Sequence, residues 1–122
     1  LLENESSASD KLLTYIHHLV NVFDETQSMI PLIYEYYSSA TRVETIREFF
    51  QTYFKTYQAL IAKIIEQGVD AGEFIAVDTH AIALTLTAMI EGLLLLHIID
   101  KSIDLKPNAI LGFETMLKGI KQ

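Results

Sequence analysis

An all-α fold of five helices is what this sequence predicts, and three observations carry the prediction. Apolar residues recur every three or four positions along most of the chain. Breaks are scarce, with two prolines and five glycines in 122 residues. No pair of strands interrupts the helical spacing, and no repeat, low-complexity tract or linker divides the chain. At 13.8 kDa it is long enough for one core, so residues 1–122 are read as a single domain.

The first helix is placed from about Ser9 to Thr26. Ser7-Ala8-Ser9-Asp10 supplies a capping hydroxyl and an early carboxylate, and Leu12, Ile16, Leu19 and Phe23 form a stripe widened by Leu13 and Val20. Pro31 suits the first turn of a short second helix ending near Ala40, where its missing N–H leaves nothing unpaired. Thr41-Arg42-Val43-Glu44 has the form of a capping box. Behind it, Ile46, Phe49, Phe50, Tyr53, Phe54, Tyr57, Leu60, Ile61, Ile64 and Ile65 keep helical spacing towards Gly72. That third helix spans roughly 30 residues, or about 45 Å. Asp78 caps a fourth helix running to about Ile99, a polar loop covers Asp100 to Lys106, and a fifth helix begins near Pro107.

The fourth helix is the informative one. From Ile82 to Ile99 its only formal charge is Glu91, and Thr85, Thr87 and His97 are its other polar residues. A helix apolar on every side has to be covered on every side. A membrane could supply the cover, since 18 residues lie at the lower edge of a spanning length. Glu91 near the centre, ends without basic or aromatic anchors, and amphipathic helices elsewhere all argue against it. The other cover is protein, with core on one side and a second copy of the chain on the other. The last helix supports that reading through a broad apolar side and through Gly112 and Gly119, which permit close approach. Two helices from each chain would form an intermolecular four-helix bundle, the isologous homodimer being the commonest closed assembly. Leu86, Ile90, Leu94, Ile110, Phe113, Leu117 and Ile120 are the expected interface residues.

Composition narrows the function. Sixteen acidic against nine basic residues give a formal charge of −7, the wrong sign for neutralising phosphates, so these residues make a poor nucleic-acid binder. The absence of cysteine removes disulfides, thiolate metal sites and cysteine nucleophiles. Residues 1–9 have neither the basic start nor the cleavage pattern of a secretory signal, and a cytoplasmic location is expected. Leu1-Leu2, ahead of a polar run, reads as the tail of an element that begins upstream.

The run Leu60 to Phe74, ending Gln67-Gly68-Val69-Asp70-Ala71-Gly72-Glu73-Phe74, resembles the close of the long third helix in the C-terminal domain of TetR-type transcriptional regulators. Asp78 then stands where those proteins carry an acidic cap, and Ala88-Met89-Ile90-Glu91-Gly92-Leu93 is similar to the core of their next helix. The likeness covers roughly Ile30 to Gln122, while Leu1 to Gln27 matches mainly as an amphipathic helix. It implies a regulatory domain that dimerises through its last two helices and encloses an effector pocket with the others. It also implies a preceding helix-turn-helix domain, which these 122 residues lack, so operator DNA would be reached only through that part. The expectation is therefore a transcription regulator and not an enzyme, with no cofactor and no membrane partner.

Eight aromatic residues, from Tyr34 to Tyr57, crowd the second and third helices. They read either as core or as the wall of a pocket for a small apolar or aromatic effector. On the pocket reading, Tyr34, Tyr37, Phe50, Tyr53 and Tyr57 line it, and Met89, Glu91 and Leu93 close it from the fourth helix. Glu91 is then either an inter-helix hydrogen-bond partner or a polar anchor for a cationic or hydroxylated ligand. His17 and His18 are adjacent and point about 100° apart, which does not suit one metal ion. His80 and His97 have no carboxylate at ligand spacing apart from Asp100. No phosphate loop or nucleophile elbow is present, so no metal or catalytic residue is assigned. The competing expectations are a small helical enzyme or metal carrier, and a free-standing ligand-binding or dimerisation module without a DNA function.

Overall fold

A computed structural model describes residues 7–122. Five α-helices follow one another: α1 (Ala8–Glu25), α2 (Ile30–Ala40), α3 (Glu44–Asp70), α4 (Thr79–Ile99) and α5 (Leu105–Ile120). A 3₁₀ turn, Gln27–Met29, joins α1 to α2 and was not foreseen in the sequence. The Leu1-Leu2 segment expected to end an upstream element lies outside the described residues.

Most ends follow the capping chemistry read from the sequence. Ser7 accepts the Asp10 N–H at 3.0 Å and Asp78 accepts the Ala81 N–H at 3.0 Å. Two ends differ. The capping box at Thr41 does not form, because that hydroxyl turns back to donate to the Ser38 carbonyl at 2.8 Å and α3 starts after Val43 without a side-chain cap. Helix α5 begins two residues before Pro107, after Asp104, which leaves the proline in the first turn where it removes no helical hydrogen bond.

The helices pack as one unit. α1 lies against α3 and α5, α4 lies between α3 and α5, and α2 leans on α3. The main core joins Leu12, Ile16 and Val20 of α1 to Ile61, Ile64 and Ile65 of α3, Leu86 and Ile90 of α4, and Phe113 and Leu117 of α5. A smaller cluster of Ile30, Leu94 and Leu105 closes the end where α2 begins.

The Gly-Glu-Phe segment after α3 is a structural knot. Gly72 has φ +77°, the left-handed conformation that ends a helix, and the Glu73 and Phe74 N–H groups both donate back to the Gly68 carbonyl at 2.9 and 3.1 Å. Phe74 is thereby folded onto Gly68, where an added Cβ would lie 2.4 Å from its ring and 2.9 Å from Ala8. Glu73 reaches the first turn of α1, accepting the Ala8 N–H at 2.8 Å and the Ser9 N–H at 3.4 Å. A carboxylate there also complements the helix dipole. The chain end is tied in as well, Ile75 donating to the Ile120 carbonyl and Gln122 to that of Glu73.

The Gly68→Ala variant is expected to lose about 1–3 kcal/mol of unfolding free energy in urea, because the buried Phe74 ring has to give way. A stability equal to wild type would show that the Phe74 seat is loose.

Candidate functional site

Three helices converge on a small, partly open space between them. Tyr15, Leu19 and Phe23 come from α1, Tyr53, Phe54 and Tyr57 from α3, and Thr87, Ile90 and Glu91 from α4. Helical spacing explains the grouping: positions 15, 19 and 23 lie on one side of α1, 53, 54 and 57 on one side of α3, and 87, 90 and 91 on one side of α4. The cavity volume is about 20 Å³, room for roughly one water molecule.

Glu91 is the charged group of this space. The Tyr37 hydroxyl, from α2, hydrogen-bonds the Glu91 carboxylate. The Tyr34 hydroxyl donates to the Glu91 backbone carbonyl at 3.1 Å. Burial pushes the Glu91 carboxyl above its ordinary value, and the Tyr37 hydrogen bond partly offsets this by favouring the ionised form. The phenols shift upward too. Tyr34 is pushed up to about 12 by burial and then by the Glu91 charge. Tyr15, Tyr37 and Tyr53 are raised for the same two reasons, with neighbouring phenols adding to the effect. All four are therefore neutral hydrogen-bond donors at physiological pH.

The aromatic rings form a continuous chain. Tyr37 meets Phe50 edge-on with centroids 4.7 Å apart, and Tyr53 meets Tyr57 at 4.8 Å. Phe49, 63 % exposed, touches both Phe50 and Tyr53 at the outer end. Contacts of this kind are each worth about 0.5–1.5 kcal/mol beyond the area they bury.

Of the eight residues expected at a pocket, Tyr53, Tyr57 and Glu91 line the cavity, and Tyr34 and Tyr37 reach Glu91 from behind it. Phe50 backs onto Tyr37 and opens onto an outer groove with Tyr36 and Phe49. Two assignments are corrected. Met89 lies against Gly112 of α5, its sulfur filling the place of the missing Cβ. Leu93 packs between the two core clusters, away from the cavity. Missing from the expectation are Leu19 and Phe23, which belong to the apolar stripe of α1, and Tyr15 beside them, together with Phe54, Thr87 and Ile90.

The expected interface residues are also corrected in register. Leu86, Ile90, Leu94, Phe113, Leu117 and Ile120 are buried in the chain's own core, and Ile110 packs against it in part. Gly112 serves the contact between α4 and α5 within one chain. The outward side of α4 carries Leu84, Ala88, Gly92 and Leu95, with Leu96 and Ile99 beside them, and α5 adds Leu111, 61 % exposed. Gly92 and Gly119 have nothing within 4 Å of an added Cβ. Residues 84 and 86 differ by two positions, about 200° around a helix, so the expected face was the opposite one.

At the end of α4, His97 Nδ1–H donates to the Ile103 carbonyl at 2.7 Å and ties down the following loop. Among the described residues no group of three His, Asp or Glu side chains could hold a metal ion. By length and composition α4 could cross a membrane, yet its inner side is committed to α3 and α5.

What this arrangement defines is an all-α regulatory-type domain: a long helix pair with a third helix enclosing an aromatic box, and an outward apolar helix side. A family model described as tetracyclin repressor-like, C-terminal domain, matches residues 11–104, and the chain belongs to that family. The fold agrees with the crystal structure of a TetR-family transcriptional regulator from Cytophaga hutchinsonii, at a TM-score of 0.76 and 19 % identity. The match covers 98 % of this chain and 62 % of that one, so the chain spans less than two thirds of the length of that regulator. No curated protein sequence matches the chain. The family consists of transcription regulators and not enzymes.

Because burial raises the Glu91 carboxyl above its unfolded value, the folded chain keeps a proton that the unfolded chain has released across the pH window between the two. Stability therefore falls as pH rises through that window. Glu91→Gln is expected to unfold at higher urea than wild type at pH 7 and to lose most of that advantage at pH 4. Tyr37→Phe should raise the Glu91 titration further, followed by carboxyl carbon NMR. A downward shift would mean that the Tyr37 hydrogen bond does not hold the ionised form.

Proposed function

We propose that this chain is the effector-binding and dimerisation domain of a TetR-type transcriptional regulator acting in the cytoplasm. A small apolar or aromatic effector occupies the space between α1, α3 and α4, and a helix-turn-helix domain upstream carries the DNA contacts. The observation that carries this reading is the aromatic box itself, mostly apolar and provided with a few oriented hydroxyls and one carboxylate.

Dimerisation is supported by the outward side of α4 and α5. Leu84, Ala88, Gly92 and Leu95 leave an apolar stripe on the surface, with a glycine that allows a facing helix to come close. A second copy meeting it about a two-fold axis covers the stripe with its own equivalent, giving the bundle of two helices from each chain.

The link between effector and dimer follows from α4. Thr87, Ile90 and Glu91 face the cavity while Ala88, Gly92 and Leu95 face outward on the same turns. An effector larger than one water needs the walls to part, and a helix moved from inside also moves its outer side. Such coupling requires the effector to bind the two arrangements with different affinity. Helix α1, which supplies three of the walls, would pass the change to the DNA-binding domain.

Two measurements test this. Leu95→Glu is expected to convert the protein from dimer to monomer in light scattering while its helical circular dichroism is retained. Leu86→Ala, on the inner side, should instead cost about 2–5 kcal/mol of stability. A dimer that survives Leu95→Glu and Leu111→Glu together would remove this interface. For the regulator carrying its DNA-binding domain, an apolar ligand that protects Tyr15 and Tyr57 should change operator affinity. Ligand binding without any such change would sink the sensing role.

A further inference from the structure

The geometry points to an effector that carries a positive charge on an apolar or aromatic body, a quaternary or protonated amine whose cationic group sits among the rings of Tyr15, Tyr53 and Tyr57 and faces the Glu91 carboxylate. This inference rests on the effector reading above and narrows it to one chemical class.

Four observations carry it. The cavity holds one carboxylate, and no lysine, arginine or histidine is among the residues that line it. The hydrogen bond from Tyr37 satisfies part of the carboxylate but brings no countercharge. The walls are ring-rich, and aromatic rings attract cations over their faces, the more strongly where water is excluded. A carboxylate left in an apolar helix weakens the fold at neutral pH, and a bound cation supplies what the folded chain lacks. An anionic effector meets the opposite situation, repelled by Glu91 inside and by a chain of net charge −7 outside.

A groove at the surface adjoins the cavity through one shared residue. Tyr53, 38 % exposed, lines the cavity on one side and on the other an open groove of about 460 Å³ formed with Thr45, Glu48, Phe49 and Thr52. This groove also contains a carboxylate and no basic side chain. The cavity admits roughly one water, so an ammonium group needs the walls to part, and Tyr53 is the wall residue that also borders the outer groove.

The test compares two probes of nearly equal shape on the intact chain, benzyltrimethylammonium and its uncharged carbon isostere neopentylbenzene, with binding followed by NMR of the tyrosine rings and of the Glu91 carboxyl carbon. The expected result is that the cation binds tighter by on the order of tenfold or more, that it shifts the Glu91 signal, and that Glu91→Gln lowers the ratio of cation to isostere affinity, the remaining preference being that of the rings. If the isostere binds as tightly as the cation, the charged class is overturned and the apolar effector reading stands. If neither probe perturbs Tyr15, Tyr53 or Tyr57, both the charged class and the effector reading of this cavity fall.

Discussion

The arrangement of this domain depends on a helix that water tolerates on no side. Helix α4 runs from Thr79 to Ile99 with a single formal charge, and its partners are distributed around it accordingly. α3 and α5 take the side of Leu86, Ile90 and Leu94. The residual exposed side, Leu84 to Ile99, is left for a surface outside the chain. The one charge is turned towards the aromatic box, where the Tyr37 hydroxyl meets it. Buried core, exposed apolar stripe and cavity wall are thus three sectors of one helix.

Glu91 shows how stability and function pull apart. A glutamine of the same shape suits the folded chain better at neutral pH, because burial opposes the charge and the Tyr37 hydroxyl offsets only part of that. Tyr15, Tyr34, Tyr37 and Tyr53 are all raised by the same surroundings and hold their protons. The box is therefore a set of neutral donors around one carboxyl group. Residues that lower stability in a site of this kind are those most easily explained by what they bind.

The helices were legible in the sequence because capping groups and breakers mark their ends. Ser7, Pro31, Gly72 and Asp78 all act as their chemistry suggests. Thr41 did not, since a hydroxyl at a helix end can serve the helix before it as readily as the one behind. The pocket was half legible. Aromatic clustering found the α3 wall and the isolated charge found Glu91, but Tyr15 and Phe23 share a stripe with residues that pack the core, and sequence spacing does not separate the two. Which side of α4 is buried was not legible at all. With no polar side on α4 there is nothing in its sequence to say which way the helix is turned, and Leu86 and Leu84 are equal candidates until the neighbours are placed.

The knot at Glu73 and Phe74 and the aromatic box lie at different heights on α1. Ala8, held by Glu73, precedes Phe23 in the box by fifteen positions, about 22 Å of helix. Attachment and recognition thus use separate residues of one rod. An exchange in the lining of the box, ring for ring or charge for neutral, leaves untouched the contacts that fix where α1 begins.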